Sequence, residues 1–262
     1  TYAPYRFVDL YVRGDIGENL AFAFVPLTLY FLYKLHKDQK YKYSIFGAIS
    51  LALLILSHNA ISLMLMPFIL AYCFYLIWLS KFNKYLIFNT LFLILIGFSL
   101  SAFFWIPGLF EGKYTLRNIV TAGGYIGRFV SFKDLIYGPW SYGGSGQFTV
   151  QLGIVHWLSL IASPIAGFYF YRKRNKNLLL VLGLVVYTLI ALFLMLPVSN
   201  FIWQRVMLLQ NFQFPWRFLA VTVLTTSVLG AYLISAVPNK FKKFIFVLLL
   251  LIILFQSKDY IK

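Results

Sequence analysis

Stretches of about twenty apolar residues recur along this chain with no charge in their central parts, and that pattern restricts the fold more than any motif does. The run LLLVLGLVVYTLIALFLM at residues 178–195 is the plainest example. In hydrocarbon every backbone N–H and C=O needs a partner within the protein, so only helices and closed barrels cross a membrane. Barrel strands read as alternating segments of about ten residues, whereas these runs are continuously apolar, which excludes a barrel. Composition agrees, with 61% hydrophobic residues and 11% charged ones, against about 25% charged in soluble domains. The expected fold class is all-α, a polytopic transmembrane helix bundle forming a single membrane domain over residues 1–262.

About eight spans can be drawn, at 17–34, 43–58, 61–80, 85–106, 151–171, 177–196, 217–237 and 241–257. Connections after the first, third, fifth and seventh hold thirteen cations and one acid, Asp38; the opposite side holds ten cations and six acids. The positive-inside rule makes the first set cytoplasmic. The net charge of +16 is therefore read as topology, with no nucleic-acid partner. The opposite, extracytoplasmic face then receives the N-terminal segment, the Ser57-His58-Asn59 turn, a 107–150 loop with nine of the seventeen glycines, and the 197–216 connection. An outer start beginning with Thr1 suggests a fragment of a longer protein. Cys73 is the one cysteine, so no disulfide framework exists.

Residues Tyr5 to Glu18, YRFVDLYVRGDIGE, hold three of the seven carboxylates. Asp15 has the position of a helix N-cap with Glu18 at N3. Asp9 and Arg13, four apart, fit either a helix-surface ion pair or a site, and Glu18 stays a candidate alongside them. His58 is a polar residue that a tight turn at Asn59 does not require. In NFQFPWRF (211–218), Pro215 can open a helix and Trp216 suits an aromatic belt. Arg217 opposes the helix dipole there, which calls for an anion: a phosphate, or a carboxylate such as Asp9 or Glu18. The Gly143-Gly-Ser-Gly146 stretch lacks a following GK[ST] and reads as a flexible loop. His156 reads as a packed, hydrogen-bonded residue, and no clustered His/Cys metal spacing occurs.

Pro4-Tyr-Arg, Asp9-Leu-Tyr-Val-Arg-Gly14 with Glu18, and Gln213-Phe-Pro-Trp-Arg-Phe218 together resemble bacterial membrane proteins of the "6-pyruvoyl-tetrahydropterin synthase-related" domain family. Nothing here resembles a soluble pterin enzyme with its zinc-binding histidines. The family is similar to the GT-C class of membrane glycosyltransferases, which use a polyisoprenyl-phosphate sugar at the outer face. The resemblance implies an essential acid in an earlier outer loop, a plasma-membrane location and a cell-envelope glycan acceptor. It matches Asp9, Arg13 and Glu18 to one family motif and Gln213, Trp216 and Arg217 to another, with His58 and Asn59 at a polar turn.

On that reading Asp9, Glu18 and His58 are the catalytic candidates. Arg13, Gln213, Trp216 and Arg217 bind substrate, with Trp140 and Tyr142 stacking on sugar rings. A divalent cation, Mg2+ or Mn2+, could bridge Glu18 or Asp9 to the phosphate. The competing readings are a transporter or flippase for lipid-linked polymers, and a non-catalytic membrane scaffold.

Overall fold

The computed structural model describes residues 2–115, 123–140 and 148–258. All regular structure among these residues is helical. The chain divides into two compact units, one of residues 1–14 with 123–262 and one of residues 15–122.

In the second unit, α2 (Ile16–Asp38), α3 (Lys42–Ser57), α4 (Asn59–Leu79) and α5 (Lys84–Leu100) follow one another, and α6 (Ala102–Phe110) closes the series. The α5–α6 pair bends by 67°. The break has a local cause: the Ser101 hydroxyl donates to the carbonyls of Gly97 and Phe98, competing with the helical ladder. Helix α6 runs through Pro107, so the long connection begins later than the sequence suggests. The α3–α5 seam is tied by Ser44 donating to Asn89 at 3.0 Å. Gly17 lets α2 approach the end of α3: a Cβ there would lie 2.4 Å from the Ser57 carbonyl oxygen.

The first unit starts with α1 (Pro4–Phe7), which passes into a π-helical turn over Val8–Arg13 and ends at Gly14. Gly14 sits at φ +63° with open space around it, so the backbone conformation requires glycine there. After α7 (Phe132–Ile136) come α8 (Ile154–Ile161), α9 (Ser163–Arg172), α10 (Asn177–Met195), α11 (Asn200–Arg205), α12 (Met207–Gln210), α13 (Leu219–Ala236) and α14 (Asn239–Ser257). A 3-10 turn over Pro215–Phe218 leads into α13. Pro215 thus opens this helix as its sequence position predicts. Helix α8 has no capping side chain of its own; Gln256, from α14, accepts from the Ile154 N–H at 3.0 Å instead. Threonines join α10 to α13 through Thr188 and Thr225, 2.7 Å apart. His156 Nδ1 lies 2.9 Å from Thr226 Oγ1, the packed, hydrogen-bonded role expected of it. Short polar links of this kind hold helices together where lipid removes the hydrophobic driving force.

Among the described residues five helical segments are long and apolar enough to cross a membrane: Ile16–Asp38, Asn59–Leu79, Ile154–Arg172, Asn177–Met195 and Pro215–Ala236; the bent α5–α6 pair makes six if counted as one span. The other two expected runs are helices as well. Helix α3 has 16 residues, a rise of roughly 24 Å against a hydrocarbon core of about 30 Å. Helix α14 begins with Lys240, Lys242 and Lys243. Outward-facing positions bear large apolar side chains, among them Phe103 (71% exposed), Phe88 (69%) and Phe255 (67%), an arrangement suited to lipid rather than water.

Parts of the 107–150 stretch are well anchored. Tyr125 stacks on Trp203 at 5.5 Å, Val130 N–H donates to Met195 O, and the Trp157 indole donates to Leu135 O at 3.0 Å. Tyr142 and Gly143 to Gly146 lie outside the described residues. Substituting Gly17→Ala should destabilise the 15–122 unit by about 1–3 kcal/mol through overpacking against backbone, read as a lower melting temperature in detergent; an unchanged melting temperature would show that α2 and α3 do not approach so closely.

Candidate functional site

Two polar clusters form, one in each unit. In the 15–122 unit the close approach at Gly17 carries the start of α2 to the α3–α4 turn. Asp15 is the N-cap of α2, its Oδ1 accepting from Glu18 N–H at 2.9 Å, as the spacing predicts. His58 is the N-cap of α4: its Nδ1 accepts from Ile61 N–H at 3.2 Å. That bond places the proton of a neutral imidazole on Nε2, which faces Asp15 Oδ2 at 3.6 Å. Glu18 is fully buried. Ligating atoms of Asp15, Glu18 and His58 lie within 4.8 Å of one another.

Two carboxylates beside an imidazole suit a hard or borderline divalent cation. The capping bonds refine the assignment. With Nδ1 accepting the Ile61 N–H hydrogen bond, His58 acts best as a donor that orients Asp15, and the two carboxylates are the groups that could hold a cation. The sequence predicts Asp15 as a cap alone; in the structure it caps through one oxygen and presents the other to His58.

The second cluster lies in the other unit. Asp9 is fully buried and pairs with the Arg13 Nη1, whose side chain is 13% exposed. Of the two readings the sequence leaves open, the helix-surface pair does not hold, because Asp9 lies buried in the π-helical turn. Such turns often mark functional sites. Arg13 also donates to the Tyr5 hydroxyl at 3.4 Å, and its guanidinium lies 4.6 Å from the Trp216 ring centroid. Trp216 is only 9% exposed, which overturns its expected place in an aromatic belt. It stacks on Phe214 at 5.1 Å and meets Phe148 edge-on at 5.1 Å.

Phe214 in turn carries two guanidiniums, Arg128 at 4.6 Å and Arg217 at 4.9 Å from its centroid. Arg217 Nη1 donates to the Phe212 carbonyl at 3.0 Å. Gln213, between Phe212 and Phe214, takes a left-handed φ of +62°; the Phe214 ring meets the cations, while the Phe212 ring packs edge-on against Phe218 at 5.8 Å. Three arginines on two stacked rings form a positively charged aromatic surface, and each cation–π contact contributes roughly 0.5–2 kcal/mol. Arg128 escaped sequence reading because it lies in a glycine-rich stretch far from the other motifs. Trp140 is half-buried, after the anchored Gly138, whose carbonyl accepts from Thr149 and Gln151.

A family model for the 6-pyruvoyl-tetrahydropterin synthase-related domain, described as a membrane protein, matches residues 4–262. The chain belongs to this family. Comparison with curated proteins and with solved structures gives no significant match. The match to the 6-pyruvoyl-tetrahydropterin synthase-related family covers both clusters, and its membrane character agrees with the apolar helices.

Asp15→Asn keeps a capping oxygen and should leave the melting temperature nearly unchanged, whereas Asp15→Ala should cost about 0.5–2 kcal/mol. If the carboxylates hold a cation, Mn2+ should stabilise the native chain and not Asp15→Asn. Removing Asp9 alone, as Asp9→Ala, should cost about 3–5 kcal/mol by leaving a charge in an apolar setting without that partner; a loss below 1 kcal/mol in denaturant titration would place the pair in contact with water.

Proposed function

We propose that this family member is a membrane glycosyltransferase of GT-C-like design that takes a sugar from a polyisoprenyl-phosphate donor at the extracytoplasmic face of the plasma membrane and transfers it to a cell-envelope glycan. The observation carrying this reading is the gathering of Asp15, Glu18 and His58 at helix ends, with Glu18 fully buried. Ionisable groups inside a membrane bundle are costly and are kept for function. The arginine–aromatic surface of the other unit supports it, since guanidiniums match phosphate oxygens bidentately. The lysine pattern supports the sidedness, and counting α3, α5–α6 and α14 as spans completes an eight-span topology.

In this proposal Arg217 and Arg13 stabilise the negative charge that grows on the departing lipid phosphate. Glu18 and Asp15 would hold a divalent cation, Mg2+ or Mn2+, which would supply positive charge toward the phosphate, and His58 orients Asp15. Asp9 keeps Arg13 extended over Trp216. Gln213 and Trp216 shape the surface under the donor, while Trp140 and Tyr142 contact sugar rings. Proton removal from the acceptor hydroxyl falls to a carboxylate of the Asp15, Glu18 and His58 cluster.

A flippase reading has one specific observation in its favour, the discontinuous α5–α6 pair bent by 67°, because broken helices recur in transporters. The two are separated by assaying labelled sugar transfer from polyisoprenyl-phosphate donor in membranes holding the full-length protein. Arg217→Ala and Glu18→Gln should each reduce transfer by about 10²–10³-fold at unchanged protein level. Unaltered incorporation would overturn the transferase proposal, and donor translocation without transfer would favour the flippase.

A further inference from the structure

The 123–262 part of the chain holds a cavity of about 560 Å³ between α8–α9, α13 and α14, apart from both polar clusters. Its origin is local. Pro164 has no N–H for the carbonyl of Leu160, and the Ser163 hydroxyl donates to that oxygen at 2.7 Å in its place. The chain breaks at Ala162 between α8 and α9. Small residues face the break: Ser159 and Ala162 on one side, Gly230 and Ala236 on the other. A Cβ on Gly230 would come within 2.9 Å of Ser159 Oγ, so the helices touch there and part beyond it. The volume lies within the roughly 300–1,000 Å³ of ordinary ligand sites.

The walls are apolar, and one end carries Arg172, whose guanidinium lies 5.5 Å from the Phe168 ring that also lines the space. Among the described residues Arg172 meets no carboxylate. Lys173, Arg174 and Lys176 follow it, and Lys240, Lys242 and Lys243 open the helix that supplies Ile245 and Leu249 to the wall. No acid lies in residues 172–176 or 238–245. We infer that this groove binds one anionic phospholipid, its acyl chain along the apolar wall and its phosphate at Arg172. A free phosphate would gain nothing from the wall, and a zwitterionic lipid would gain little from the crowded cations.

The test uses the full chain purified in detergent and offered equal dioleoyl phosphatidylglycerol and dioleoyl phosphatidylcholine, with retained lipid read by native mass spectrometry. The native chain should retain phosphatidylglycerol about five-fold or more over phosphatidylcholine. Arg172→Ala should lose that preference, and Leu233→Trp, or Ala162→Leu should the first fail to fold, should lose retention of both. Inorganic phosphate should not displace the lipid. Equal retention of the two lipids, a preference surviving Arg172→Ala, or displacement by inorganic phosphate would each overturn the assignment. So would displacement by an equimolar polyisoprenyl phosphate, which would give the groove to the donor lipid instead.

Discussion

A backbone N–H or C=O left without a partner in hydrocarbon costs several kcal/mol, and the irregular features of this protein are arranged around that cost. Where Pro164 withholds its N–H, Ser163 donates to the Leu160 carbonyl. Where α5 ends inside the apolar region, the Ser101 hydroxyl takes two carbonyls and the Trp105 indole shares that of Phe98. Where α8 begins without a cap, Gln256 reaches across from α14. These replacements let helices break or begin where the ladder alone would leave backbone groups unsatisfied.

The same rule governs the charges. Asp9 and Glu18 are both fully buried, so each needs partners close by. Asp9 has Arg13, and Arg13 in turn spreads its charge over Trp216. Glu18 lies beside Asp15 and His58, two residues that also satisfy helix N–H groups. Capping and site-building are therefore done by the same side chains through different atoms. A helix terminus is the place in a membrane bundle where backbone donors are left over, and polar side chains gather there because the donors do.

Much of the architecture was legible beforehand. All eight apolar runs form helices, since long uncharged stretches leave the backbone no other choice. Asp15 and Pro215 were readable as helix starts because caps depend on neighbours within three residues. The break in α5–α6 was not, since serine is common in membrane helices and only the bonds of Ser101 disclose the bend. Trp216 was misplaced because an aromatic near a helix end can face lipid or protein, and composition is silent on which. Arg128 and Gln256 were missed because their partners, Phe214 and Ile154, stand some 90 and 100 residues away.

Sequence alone determined that the chain is a helical membrane protein, where its helices run and which ends are basic, because hydropathy and charge act locally and need no partner to be read. It also singled out the residues rich in chemistry. Tertiary structure alone decided how they group: Asp15 with Glu18 and His58, Arg13 over Trp216, Arg128 and Arg217 on one phenylalanine. The Asp15 grouping rests on a helix approach distance set at Gly17 by the absence of a single carbon atom, and a distance between helices is a property of the packed chain that no local pattern encodes.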